Sequence, residues 1–419
     1  MNAILRRLMP ALGLAILVAG CGTSTPKPPT APEVVPPLRS LVLAVHADTL
    51  AVGQARAYTA TAVDTSGHVY SGALEWSSSD AGVVAVAAAG QVSAVGEGSA
   101  VVVAAGGGRR DSVRVLVLPV ARGWTAQVSN ATEDLNAVFI DPAGRDGWVV
   151  GGGGVILSTT DAGAHWTRRT PTTFTLHGVW FTSALDGWAV GDAGTILQTT
   201  DGGATWTRVL DAATSDNLMS VTFATPDLGW IVGSGGVVLR TTDGGATWPD
   251  KTYLLPLARP TLNAVMFAGP FDGWAVGDNG VIAGTHDGGD SWFVVQPAIT
   301  AQALKGLWRR SVAQAVAVGA QGVAARTAST ADSVAWTLDN AGNLNQLAGV
   351  CFPADTTGYA VGWNGTAGLV LRYHAAGAAW TAQTASAQFR LRGVYFVDAL
   401  RGWAVGEGGT IRHTASGGE

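Results

Sequence analysis

The sequence predicts an all-β chain: a small β-sandwich followed by a seven-bladed β-propeller. Three observations predict it. The 419 residues include 57 Gly and 16 Trp, with only 13% charged, where average chains hold about 7% Gly and about 25% charge. From residue 39 onward, short β-branched runs alternate with Gly, Ser and Asp, the pattern of brief strands joined by tight turns. From residue 120 a Gly-Trp dipeptide returns at steps of 40 to 44 residues, the period of propeller blades. The same composition excludes several classes. A chain 47% hydrophobic is not disordered. A net charge of −5 leaves no basic footprint, so no nucleic-acid partner is expected. Two Cys make neither a disulfide framework nor a Cys-rich zinc site.

The elements follow in order. Residues 1–21 carry Arg6 and Arg7, then an apolar run from Leu8 to Ala19 broken by Pro10. The run is too short to span about 30 Å of hydrocarbon. Leu17-Val18-Ala19-Gly20-Cys21 resembles a bacterial lipobox. The resemblance implies cleavage before Cys21, lipidation of that Cys and anchoring in a bilayer. Gly22 stands where such lipoproteins carry an Asp-type inner-membrane retention signal, so the outer membrane is the expected address in the cell envelope. Residues 22–38 hold six Pro and read as an extended tether.

Residues 39–119 form the first expected domain. Candidate strands are Val42–Val45, Arg56–Val63, Val83–Ala87, Gln91–Val95, Ala100–Ala104 and Ser112–Val117. Trp76-Ser77-Ser78-Ser79-Asp80, Gly90–Val95 and Gly96-Glu97-Gly98 are similar to the bacterial Ig-like group 2 family. The resemblance implies an Ig-like β-sandwich with Trp76 between its sheets, acting as a spacer.

Residues 120–419 are the expected propeller. The Gly-Trp marker falls at Trp148, Trp188, Trp230, Trp274 and Trp403, with Ala315 and Tyr359 in its slot in two further copies. A second Trp closes each copy: Trp166, Trp206, Trp248, Trp292, Trp336 and Trp380. The seventh copy runs out at Glu419, and Gly123-Trp124-Thr125 matches the missing piece. The strand around Trp124 is therefore expected to complete the last blade and close the ring. Four copies carry Thr-x-Asp-x-Gly-x-x-Trp: Asp161 with Trp166, Asp201 with Trp206, Asp243 with Trp248, and Asp287 with Trp292. This resembles the Asp-box of sialidase-like propellers. The carboxylates are read as structural, because an Asp side chain can cap the backbone of its own turn. With the Gly-Trp marker, the whole domain resembles the photosystem II assembly factors among the BNR-repeat proteins. That family uses a basic patch on its client; here Arg309, Arg310, Arg390 and Arg392 are split between copies.

Aligning the copies places the variable positions. At the starts of the inner strands stand Asn136, His177, Met219, Asn263, Lys305, Ala348 and Arg392. At the turns after the second strands stand Gly152, Asp192, Ser234, Asp278, Ala320, Trp363 and Glu407. Both sets are expected on the face opposite the Asp-boxes, as a binding rim around the channel mouth. The long connection Pro249–Thr261, with Tyr253 and Arg259, is expected near that mouth.

No catalytic constellation stands out. The propeller segment holds only Glu133, Glu407 and Glu419. Its His residues lack metal-ligand spacing, and the one thiol, Cys351, occupies a packing slot. No cofactor or metal is expected. The expected work is non-catalytic binding of an envelope or membrane protein client. Two alternatives stay open. One is carbohydrate binding through Trp363 and His177. The other is sialidase-like or xyloglucanase-like glycoside hydrolysis using Asp192, Asp278 or Glu407, which needs two carboxylates about 5–9.5 Å apart.

Overall fold

A computed structural model describes residues 35–118, 123–209, 214–252, 259–295, 298–311, 314–330, 333–340, 345–375, 379–383 and 388–419. The leader, Cys21, most of the Pro-rich segment and Tyr253 lie outside the described residues. Among the described residues no helix is long and apolar enough to cross a membrane. The chain divides into two compact units after Leu118, each with its own core.

The first unit is built of three sheets. Leu38–Leu43 pairs with Ala60–Asp64; Ala47–Ala51, Arg109–Leu118, Gly98–Gly106 and Glu75–Ser78 form a second sheet; Ala55–Ala57, Gln91–Ala94 and Val84–Val86 form a third. The long strands alternate as half-buried strands do: Ala100, Val102 and Ala104 point inward on one, Val113, Val115 and Val117 on the next. Two strands escape the sequence pattern. Ala47–Ala51 pairs parallel to Arg109–Leu118, and Glu75–Ser78 carries no β-branched residue. Trp76, in the second sheet, packs partly buried against this core, and its ring lies against Gly90 just before the third sheet's strand Gln91–Ala94. Tyr58, 3% exposed, is the ring inside, its hydroxyl donating to Asp48 at 2.8 Å.

The second unit is an all-β propeller. Seven antiparallel sheets are present among the described residues. Their inner strands are Leu135–Ile140, Leu176–Phe181, Leu218–Phe223, Leu262–Phe267, Leu304–Ser311, Gln346–Ala354 and Leu391–Phe396. Each touches the next, and the last touches the first. A buried Leu (135, 176, 218, 262, 304, 347 and 391) anchors the start of each inner strand. Two residues on stands Gly, Ala or Ser, because neighbouring inner strands converge there. A Cβ on Gly178 would lie 3.2 Å from the Ser220 Cα, and one on Gly306 would lie 2.9 Å from the Ala348 carbonyl.

The Gly-Trp strands come second in each sheet and are buried on both faces, as in Gly147–Gly151 and Gly187–Gly191. Their aromatic rings couple adjacent sheets. Trp148 stacks on Phe181 at 3.6 Å, Trp188 on Phe223 at 4.2 Å, Trp230 on Phe267 at 3.4 Å and Tyr359 on Phe396 at 3.6 Å between centroids. Each closing Trp then meets the same Phe edge-on, as Trp206 meets Phe181 at 5.9 Å. Such pairs contribute about 0.5–1.5 kcal/mol beyond their burial.

The register corrects one assignment. In the fifth sheet Trp308 pairs with Val316 and Arg309 with Ala315; in the seventh, Tyr395 pairs with Trp403 and Phe396 with Gly402. Val316 therefore fills the Trp slot and Ala315 the Gly slot. Arg309 stands in the Phe slot, 5% exposed. Burial pushes its pKa down to about 10, against the charge of Asp272.

The Asp-boxes turn the chain from third to fourth strand. In the second sheet the Thr199 hydroxyl donates to Asp201 and accepts from the Gly203 N–H, both at 2.8 Å. Asp201 in turn accepts from the Thr205 N–H at 2.8 Å. Gly203 has φ +86°, and a Cβ there would lie 2.9 Å from Trp148 Nε1 of the preceding sheet, so only Gly fits. The last three sheets lack the Asp; the seventh has Ser416 in its place and keeps the Gly418 N–H bond to Thr414 at 2.8 Å, and the fifth instead continues as a hairpin, Val323–Thr330 pairing with Ser333–Asn340. The third sheet has three regular strands where four are expected. After Trp248 comes Pro249, which cannot donate to a ladder, and only a bridge between Leu239 and Asp250 remains.

Closure is as expected. Thr125–Gln127 pairs antiparallel with Ile411–His413. Trp124 meets Phe396 edge-on at 5.7 Å, as the closing Trp does elsewhere, and the Gly123 N–H donates to the Glu419 carbonyl at 2.7 Å.

Candidate functional site

The channel mouth is built by one repeated irregularity. In all seven inner strands the register slips just after the anchoring Leu: between Leu135 and Ala137, Leu176 and Gly178, Leu218 and Ser220, Leu262 and Ala264, Leu304 and Gly306, Leu347 and Gly349, and Leu391 and Gly393. The residue skipped is each time the variable one: Asn136, His177, Met219, Asn263, Lys305, Ala348 and Arg392. A β-bulge leaves one residue out of the ladder and re-aims its side chain. The backbone is held constant by the Leu before and the small residue after, while the bulged position is free to vary.

The turn after the second strand returns to the same place in six sheets; in the sixth the strand Thr357–Asn364 runs on through Trp363, which pairs with Gln346 and is not the turn residue expected. The N–H groups of Gly152, Asp192, Ser234, Asp278, Ala320 and Glu407 donate to the carbonyl of the residue before the anchoring Leu, at 2.8–2.9 Å. Strand-start and turn residues of one sheet therefore face each other. His177 Nε2 lies 2.7 Å from Asp192 Oδ1. Asn263 donates to Asp278 at 2.9 Å, and Arg392 to Glu407 at 3.1 Å.

Other contacts link one sheet to the next. Lys305 donates to Asp278 at 2.9 Å, and Arg392 crosses the closure to Asp134 at 2.8 Å and Asn136 at 3.3 Å. Asn136 donates to the Leu176 carbonyl and Asn263 to the Leu304 carbonyl, both at 2.8 Å. These two amides are latches between sheets as well as rim groups, and Asn263 is only 8% exposed. The Asp278 carboxyl stays below the usual range: burial raises its pKa, but hydrogen bonds from Asn263 and Lys305 and the Lys305 charge outweigh that. A general acid needs the opposite shift.

Below the rim lies a cavity of about 190 Å³ in the channel. Asn136, His177, Met219, Asn263 and Lys305 line it. Arg392, Asp192, Ser234, Asp278, Trp363 and Glu407 do not; they stand around it. Trp363 is not an open platform, since the Arg390 guanidinium covers its ring at 5.4 Å. Phe139, Trp180, Met266, Trp308 and Tyr395 also line the cavity, with Phe139 5.4 Å from Trp180 and 5.2 Å from Tyr395. This aromatic collar and the inter-sheet carboxylate Asp134 are absent from the sequence reading. The collar slot is visible there only as a packing position. Cys351 sits in it, fully buried, its thiol pushed up to about 12 by burial despite the Phe396 N–H.

On the opposite face, the Asp-box carboxylates at Asp161, Asp201, Asp243 and Asp287 are all committed to their own turns. His165 pairs with Asp161 at 2.7 Å, and His286 with Asp272 at 2.7 Å. Among the described residues no group of three His, Cys, Asp or Glu is placed to hold a metal ion.

With this geometry in view, known proteins supply the comparison. The profile of the family described as photosynthesis system II assembly factor YCF48 matches residues 169–249 and 207–301. The chain resembles these assembly-factor propellers. The solved structure "YCF48 bound to D1 peptide" superposes with TM-score 0.57 at 19% identity, covering 70% of this chain and 95% of that one. YCF48 from Cyanidioschyzon merolae gives TM-score 0.58 at 18% identity, over 70% and 98%. The WD40 repeats of RRP9 give 0.57 at 7% identity, over 71% and 98%. At such identities the shared property is the propeller fold. No curated protein matches the chain.

Proposed function

We propose that this protein is a non-catalytic, membrane-anchored scaffold of the cell envelope, whose propeller rim binds a protein client as assembly factors do. The observation that carries the reading is the convergence of seven bulged strand starts on one channel mouth. A rigid ring that presents variable side chains from a constant backbone binds without ordering loops, which lowers the cost of association. The rim mixes Lys305, His177 and Arg392 with Asp134, Asp192, Asp278 and Glu407, suited to a polar protein surface and not to an apolar ligand. A similar fold has been solved as "YCF48 bound to D1 peptide", which supports a protein segment as the class of client. The rim carboxylates are engaged, Asp278 and Glu407 with the cations Lys305 and Arg392 and Asp192 with the His177 ring, an arrangement suited to recognition more than to acid catalysis. In this reading Cys21 carries the lipid anchor, the outer membrane is its address, and the first unit is an Ig-like group 2 spacer.

The test is a mild-detergent pull-down of the full chain from its native membranes, against a variant with His177, Lys305 and Arg392 changed to Ala. A stoichiometric protein lost in the variant is the expected result. A partner retained at full yield removes the rim from the account. No protein partner, with glycan binding or hydrolysis instead, overturns the scaffold reading.

A further inference from the structure

The propeller is uneven at one interface. At six of the seven junctions between sheets, an aromatic ring from the second strand projects toward the next sheet: Trp148, Trp188, Trp230, Trp274, Tyr359 and Trp403, each no more than 2% exposed. Where the next inner strand offers Phe, the ring stacks on it at 3.4–4.2 Å. Between the fifth and sixth sheets the slot residue is Val316. Its Phe is present but has no stacking partner from that strand. Phe181, Phe223, Phe267 and Phe396 are buried to 3–7% exposure, whereas Phe352 is half-buried.

The volume the missing ring leaves is not refilled. A cavity of about 180 Å³ occupies the place, lined by Val316, Phe352, Trp380, Tyr373, Trp308 and Arg326 among others. A buried apolar cavity of about 150 Å³ accepts benzene, so the space admits a flat bicyclic ring. Its walls are those of the filled slots. Trp380 meets Phe352 edge-on at 5.9 Å, the relation that Trp206 has to Phe181. One edge is polar. Arg326 donates to the Tyr373 hydroxyl at 2.7 Å and pairs with Asp339 at 3.4 Å, and Asp355 stands exposed beside them.

We infer that the junction between the fifth and sixth sheets is a preformed binding slot for a planar aromatic group of indole size, stacked on Phe352 over Val316. The slot shares only the Trp308 ring with the channel cavity and stands whether or not the rim binds a client. The six filled junctions show what shape the frame accepts, and the polar edge suits a ring that carries one N–H donor.

The test is titration of the full chain with 5-fluoroindole, followed by fluorine NMR. One saturable site is expected. Val316→Trp supplies the ring in cis and is expected to abolish binding while raising Tm. Phe352→Leu keeps apolar bulk but removes the stacking face, and is expected to weaken binding about 2- to 12-fold, the factor one aromatic pair supplies. If Val316→Trp fails to fold, the Phe352→Leu titration decides alone. Nα-acetyltryptophanamide in a parallel titration identifies the source: binding assigns the group to a protein side chain, and binding of fluoroindole alone assigns it to a free small molecule. Absence of saturable binding by both probes, or undiminished binding in a folded Val316→Trp variant or in Phe352→Leu, overturns the inference.

Discussion

At the scale of single residues, the Asp-box carboxylates tie the stability of the turns to pH. Asp161, Asp201, Asp243 and Asp287 are held at about 2. The backbone N–H and side chain of His165 are the main cause at Asp161. The hydroxyls and N–H groups of Thr205 and Thr247 act at Asp201 and Asp243. At Asp287 burial opposes, and Ser291 outweighs it. An unfolded Asp titrates near 3.9. The folded values are lower, so each group adds stability above pH about 4 and loses it as pH falls toward about 2. The melting temperature should therefore drop between pH 4 and 2. Asp243→Asn should flatten part of that drop in thermal scans; an unchanged slope would remove the carboxylates from the stability of the turns. The motif was legible in the sequence because it is local: Thr, Asp and Gly fall within five residues and bond to one another. Asp134 was not legible, since its partner Arg392 lies at the other end of the chain and meets it only across the closure.

At the scale of strands and sheets, ring stacking couples each sheet to its neighbour. Phe267→Ala should cost about 3–5 kcal/mol, the usual loss for a buried Phe, because Trp230 loses its stacking face. Phe352→Ala should cost clearly less, since no second-strand ring lies on it. Chemical denaturation of the two variants side by side measures the difference, and equal costs would contradict the stacking scheme. The repeat period and the Trp positions were legible here, and the Phe pairing follows from them. The bulges were not, because a register slip leaves no trace in composition. Only the constant Leu two places before a small residue marks them in retrospect. The misplacement at Ala315 has a simpler cause: the slot lies three residues before the closing Gly, as Trp403 does before Gly406, and counting back from Gly319 gives Val316.

At the scale of the whole propeller, the ring is closed by strand Thr125–Gln127 and by Trp124 against Phe396. Trp124→Ala should destabilise by about 3–5 kcal/mol. It should also expose the chain after Gln127 to protease before the sheets themselves are cut. Cleavage that begins inside the sheets would contradict closure by this strand. The closure was readable from the sequence as an unfinished last copy and a spare segment at the front. The use of the ring was not readable in the same way, since propellers of one architecture serve unrelated tasks. The charged rim adds a dependence on salt. Client association should weaken as ionic strength rises through about 0.15 M, where screening reaches about 8 Å.

Site-directed photocrosslinking in native membranes distinguishes the bulged face from the Asp-box face as the surface that meets the client. A benzophenone amino acid placed at Met219 samples the rim, and one placed at Ala204 samples the Asp-box face. A discrete protein crosslink is expected from position 219 and none from position 204. A crosslink from position 204 alone would contradict it.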